Sequence, residues 1–297
     1  VNSYNAILAE ANDTANTAGN GTPDADPSVN PSASDYANIG ANIGLAATDA
    51  ENLALLNDIV GASQKADVDT VAEINNLARI ANAIQAIAAG QGASVSPALT
   101  VADLTAIGLD TTGVTANNLP TLLAAIAAKA DDGTQTDSLA ELQTLVDNLD
   151  KVAPVAPTLA LGTGVNNGAT SAEAQAGAVT VSAEAGSTIT ATFTDSQGHT
   201  VTKTVSNATG SAQAIALVAA DLGTGANKLL DGTISVSVIA TDAAGNPSTA
   251  ATTSFTLDTT GPVFSSGASA SVPENAATST VVYTATASDN RSEERRV

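Results

Sequence analysis

The chain has 297 residues, no Cys, Met or Trp, three Phe and three Tyr, and 30 acidic against nine basic residues, a net charge of −21. That length accommodates two or three domains, whose cores have to be built from Ala, Val, Ile and Leu. The missing Cys excludes disulfides, thiolate metal sites and a Cys nucleophile; the acidity repels nucleic acid and anionic membranes and attracts cations.

No apolar run approaches the roughly 20 residues of a membrane span. The chain opens Val1-Asn2-Ser3 without a signal sequence and reads as an interior cut. At the far end, residues 291–297 place three Arg in seven positions and break a Thr/Val/Ala strand pattern. This heptapeptide resembles the translation of a sequencing adapter and is set aside as an artefact.

Self-comparison of the first half yields a tandem repeat. Ser32/Asp35 and Thr100/Asp103 match at an offset of 68, as do Ile39-Gly40 and Ile107-Gly108. Asp69 to Ile74 and Asp137 to Leu142 match at the same offset, and Leu55, Leu56 and Ile59 face Leu122, Leu123 and Ile126 with a one-residue slip. Each copy carries helix starts with a physical reason. Thr70/Glu73 and Ser138/Glu141 have the spacing of capping boxes, in which hydroxyl and carboxylate satisfy two orphan N–H groups reciprocally. Thr48/Glu51 predicts a further box in the first copy, which Thr115 followed by Asn118 does not repeat. Apolar residues then recur at helical spacing: Val71, Ile74, Leu77, Ala81 and Ile84, then Leu139, Leu142, Leu145 and Leu149. The expectation is one small three-helix bundle per copy, over 32–90 and 99–151. Residues 1–11 read as the tail of a preceding copy. Residues 12–31 are a flexible linker, whose Asp13, Asp24 and Asp26 lack calcium-loop spacing. No His lies in this half, and Lys65, Arg79, Lys129 and Lys151 are scattered, so no catalytic constellation emerges.

Helical periodicity stops at the Pro-punctuated junction Val152 to Pro157. Short alternating strands follow: 158–161, 179–183, 189–193, 201–205, 212–217, 234–238 and 253–257. Seven strands in about a hundred residues argue for an immunoglobulin-like β-sandwich over 153–260, without the Cys pair or core Trp of antibody domains. The fold class read from the sequence is multidomain: all-α tandem three-helix repeats, an all-β immunoglobulin-like sandwich, and a truncated second β module over 263–290. His199, the only His, reads as a solvated turn residue. Gly162-Thr-Gly164 and Gly223-Thr-Gly225 lack the context of phosphate loops and read as turns.

Asp231-Gly-Thr, Ala240-Thr-Asp-Ala-Ala-Gly-Asn246 and Asp258-Thr-Thr-Gly-Pro262 occur in that order. Together they resemble the bacterial Ig-like repeats of giant surface adhesins, with Gly261 where the family often has Ala. Val272-Pro-Glu274-Asn275 and the run Thr280 to Asp289 are similar to the opening strands of a cadherin-like repeat. The resemblance implies a calcium-ligand role for Glu274 at a module junction. With Asp258 in the linker and Asp242 in a loop taken to face the same end, three carboxylates would meet the demand of Ca²⁺ for oxygen ligands. The resulting expectation is a non-catalytic stalk of an extracellular bacterial adhesin involved in cell adhesion or biofilm formation. Its partners would be neighbouring modules, with host or matrix ligands bound by other domains. Two rival readings are a protein-binding module, for which an exposed Tyr36 would be a contact, and an accessory region of a large secreted enzyme.

Overall fold

The computed structural model describes residues 2–11, 30–129, 135–225, 227–267 and 269–288. Almost all of the acidic linker, with Asp13, Asp24 and Asp26, and the 291–297 tail lie outside the described residues. The protein combines helices with antiparallel sheets and divides into two units, residues 1–152 and 153–297, each with its own core.

The first unit contains α1 (Asn2–Glu10), α2 (Ala33–Asn38), α3 (Ala50–Ala62), α4 (Val71–Ala88), α5 (Val101–Ala106), α6 (Leu119–Ala127) and α7 (Leu139–Asp147). Reciprocal capping boxes form at Ser32/Asp35, Thr70/Glu73, Thr100/Asp103 and Ser138/Glu141. The Thr48/Glu51 box does not form. Asp49 caps α3 instead, its carboxylate accepting from the N–H groups of Glu51 and Asn52, because Asp at the cap outcompetes Thr one residue earlier. Ahead of α6 a reciprocal pair does form, with Asn in the place of Glu. Thr115 N–H donates to Asn118 Oδ1 at 2.8 Å and Asn118 N–H to Thr115 Oγ1 at 3.4 Å.

Two separate bundles are not found. One continuous core runs from Ile7 to Val146 through both halves of the unit. The reason is α4, which buries ten of its 18 residues and packs on α3 on one side and on α5 and α6 on the other. Tyr36 is fully buried, its hydroxyl donating to Asn57 Oδ1 at 2.8 Å, so it offers no exposed contact. Burial, with the charges of Glu10 and Asp35, raises its pKa far above the ordinary value.

The second unit holds β1 (Thr158–Leu161), α8 (Ser171–Gly177), β2 (Val179–Ser182), β3 (Thr188–Thr194), β4 (Thr200–Val205), β5 (Gln213–Ile215), β6 (Gly232–Thr241) and β7 (Ala251–Leu257), then β8 (Val263–Phe264) and β9 (Ala287–Ser288). Sheet order is β1-β2-β5 and β4-β3-β6-β7, with β8-β9 apart. The two larger sheets enclose one core around Phe193, Ile189, Val236, Val238 and Phe255. Ala169 adds a bridge parallel to β7. The all-β expectation missed α8, although Thr170/Glu173 is a fully formed capping box.

Alternation decides which residues face inward. On β3, Ile189, Ala191 and Phe193 are buried, while Thr190, Thr192 and Thr194 lie on the outer face. The same pattern places Thr200, Thr202, Ser235, Ser237, Thr252 and Ser254 outward, β-branched or small hydroxyl residues suited to a solvated sheet surface.

Residues 280–289, expected to form a strand, contribute only β9 among the described residues, paired with β8. No described residue from 261 to 288 is buried, and Phe264 is 73% exposed.

Candidate functional site

The strand register fixes where each carboxylate lies. β6 and β7 are antiparallel, with Gly232 opposite Leu257 and Val238 opposite Ala251. Asp242 follows the end of β6 and Asp258 the end of β7, so they occupy opposite ends of the sheet. Ten strand residues at about 3.3 Å each put roughly 30 Å between them. The same reasoning locates the start of β1. Thr158 pairs with Ser182, five connecting residues lead to Thr188, and Thr188 pairs with Thr241. The chain therefore comes into the β unit at the Asp242 end and leaves it at the Asp258 end.

Asp242 is occupied by its own turn. Asn246 N–H donates to Oδ1 at 2.8 Å and Asn246 Nδ2 to Oδ2 at 2.9 Å, while Gly245 takes a left-handed φ of 98°. Burial pushes the Asp242 carboxyl upward, but the bonds from Asn246, Gly245 and Ala244 outweigh it and hold the group below its usual range. Glu274 is exposed in a turn. The clamp expected of Asp242, Asp258 and Glu274 is therefore not assembled, because the register separates two of its members. Among the described residues, no three His, Cys, Asp or Glu side chains are placed to hold a metal ion.

At the exit end the carboxylates staple the linker to the sheet. Asp231 Oδ1 accepts from Thr259 N–H at 2.9 Å and Thr259 Oγ1 at 2.8 Å. Asp258 Oδ1 accepts from Thr260 N–H at 3.1 Å and Thr260 Oγ1 at 2.8 Å, and Asp258 N–H donates to Ala169 O. The Asp231-Gly232-Thr233 and Asp258-Thr259-Thr260 motifs thus have a physical task. One carboxylate in each captures a Thr, and Gly232 supplies a φ of 126° that other residues avoid. Asp258 Oδ2 is buried and has no hydrogen-bond partner among the described residues.

Sequence reasoning missed the residue that ties this end together. Asp195, 6% exposed, accepts from the N–H groups of Gln197, His199 and Leu230 at 2.8–3.0 Å. The Nδ1 of His199 lies 2.8 Å from Asp195 Oδ2, and an ionised carboxylate only accepts, so the ring donates. Burial pushes the Asp195 carboxyl upward, yet these bonds from Leu230, His199 and Gln197 hold it far below the usual range. His199 is not merely solvated; it pins the β3–β4 turn. The signal available was Asp195-x-x-Gly198-His199, an Asx turn closed by Gly198 at φ 85°.

A shallow depression on the outer face of the four-stranded sheet is lined by hydroxyls of Thr192, Thr194, Ser235, Ser237, Thr252 and Ser254 and by no titratable group. No helix among the described residues is long and apolar enough to cross a membrane.

No family model matches this chain, and no curated protein matches it. A solved structure described as the "Crystal structure of tetra-tandem repeat in extending region of large adhesion protein" is similar at 23% identity and a TM-score of 0.27. The match covers 39% of this chain, which spans 27% of the length of that one.

Proposed function

We propose that the chain is a non-catalytic spacer from the stalk of a large extracellular bacterial adhesin, serving cell adhesion or biofilm formation. The observation that carries this reading is the path of the chain through residues 153–260, in at one end of the sheets and out at the other. A unit threaded this way adds its length to whatever it joins. The immunoglobulin-like assignment of that unit is supported by its sheet order and by the parallel Ala169–Leu257 bridge. The ordered motifs at Asp231, Ala240 and Asp258 support the adhesin-repeat resemblance.

Calcium enters this proposal at one end only. The Asp258 Oδ2, buried without a hydrogen-bond partner among the described residues, would be one ligand, and the others of a six- to eight-oxygen shell would come from waters and the following module. Thermal unfolding with excess Ca²⁺ and with chelator tests this. A raised midpoint for the β unit supports it, and superimposable curves remove calcium from the reading.

The spacer itself is tested by distance. The chain has no native Cys, so Val155→Cys and Gly261→Cys give a single spin-label pair. A separation of about 30 Å or more is expected from the strand lengths. A value under about 20 Å would mean ends folded back, and the spacer reading would fail.

A further inference from the structure

The core of the helical unit is continuous because α4 works for two neighbours, and α1 repeats half of that work. Residues 5–11 (Asn-Ala-Ile-Leu-Ala-Glu-Ala) align with residues 82–88 (Asn-Ala-Ile-Gln-Ala-Ile-Ala), identical except at the fourth and sixth positions. Their burial follows suit: Ile7, Glu10 and Ala11 are buried, as are Ile84, Ile87 and Ala88. Their neighbours correspond as well. α1 packs on α2 and α3, and α4 packs on α5 and α6, the equivalents of α2 and α3 at the repeat offset.

The edge of the receiving groove lies at matching positions in the two copies. Gln85 Nε2 donates to Thr136 O at 3.0 Å and to Asp137 Oδ1 at 3.1 Å, and Thr136 Oγ1 donates to Gln85 Oε1 at 3.2 Å. Sixty-eight residues earlier stand Val68 and Asp69, and Tyr4 of α1 donates its hydroxyl to Asp69 O at 2.9 Å. The position equivalent to Gln85 is Leu8. Where the second groove pairs Gln85 with Thr136, the first has two apolar residues, Leu8 against the core and Val68 fully buried. At matching positions one groove thus carries a polar pair and the other an apolar pair.

We propose that α2–α3 and α5–α6 form one interchangeable docking groove, whose occupant is the C-terminal half of the long helix of a neighbouring repeat copy. Repeats then assemble by sharing a helix rather than by abutting finished bundles. The assembly has a direction. α7 stops at Asp147, and the positions equivalent to Ile84 and Ile87 are Val152 and Val155, non-helical and 76% and 83% exposed. The second copy therefore receives a helix but offers none. This inference goes beyond the spacer reading and does not depend on it.

The test is a double-mutant cycle in the full chain. Leu8→Gln places an amide opposite Val68 and lowers the melting temperature of the helical unit; Val68→Thr alone lowers it too. Combined, the two rebuild the Gln85–Thr136 pairing, so the double variant should melt at least about 3 °C above the sum of the single shifts. Additive shifts overturn the equivalence of the grooves. Interchange is read separately with Ile7→Asp, which expels α1. That chain should bind a labelled peptide of residues 1–11, and adding Val68→Thr should shift the preference at least tenfold towards a peptide of residues 79–90. Binding of neither peptide by a chain that keeps its helical circular dichroism overturns the proposal. If helicity is lost, the cycle decides.

Discussion

Single carboxylates do much of the organising here, each by satisfying backbone donors that water would otherwise serve. Asp195 is the clearest. It gathers three N–H groups and an imidazole from two connections, β3–β4 and the approach to β6. Asp195→Asn keeps the shape and loses the charge that strengthens these bonds; a loss of about 2–3 kcal/mol in urea unfolding at pH 7 is expected. The sign of the pH effect follows from its depressed pKa. The stabilisation is fully present above the unfolded value near 4 and is lost as pH falls from there towards the folded value. The stability gap between parent and Asp195→Asn should therefore narrow below about pH 4; a gap constant down to pH 2 would refute the assignment. The Asp231–Thr259 staple is half-exposed and smaller in effect. Asp231→Ala removes both bonds and should cost about 1 kcal/mol, Thr259→Ala removes only the hydroxyl's and should cost less, and the double variant should cost little more than Asp231→Ala alone.

Elements were legible where a short rule governs them. Thr70/Glu73 and Ser138/Glu141 announce helices because the capping box needs only residues three apart, and alternating runs announce all seven strands of the two main sheets. The failures share a cause, competition between neighbouring candidates or contact across the fold. Thr48 lost the cap to Asp49, and Thr170/Glu173 went unread because it lies among strands. The span of α4 was visible, but its two-sided burial was not, since both faces carry Ala and Ile and only the tertiary arrangement says what each meets. Ile84 tests this. It is fully buried in α4, which packs on α3 as well as on α5 and α6, so Ile84→Ala should cost about 2–5 kcal/mol. The loss should appear throughout the helical unit, with hydrogen exchange accelerating in α2 and α3 as well as in α5 and α6.

At the scale of the molecule, two separate cores predict two unfolding transitions. Calorimetry should resolve one for residues 1–152 and another for the sheets, and Ile84→Ala should move only the first. A third transition, from helical copies melting independently, would contradict the shared core. The boundary near Val152 was readable because Pro154 and Pro157 interrupt helical spacing. The candidate cation clamp was not readable, because sequence order places Asp242, Asp258 and Glu274 in one neighbourhood while the antiparallel register separates the first two.

The parallel bridge at Ala169 acquires a meaning under tension. Its N–H bonds to Thr256 O and its carbonyl accepts from Asp258 N–H, joining an early segment of the β unit to β7. Force applied at the two ends of that unit draws these segments past one another along their length. Both bonds are then strained together in shear, instead of opening one after another like a zipper, and the sheets yield only when the pair fails as a whole.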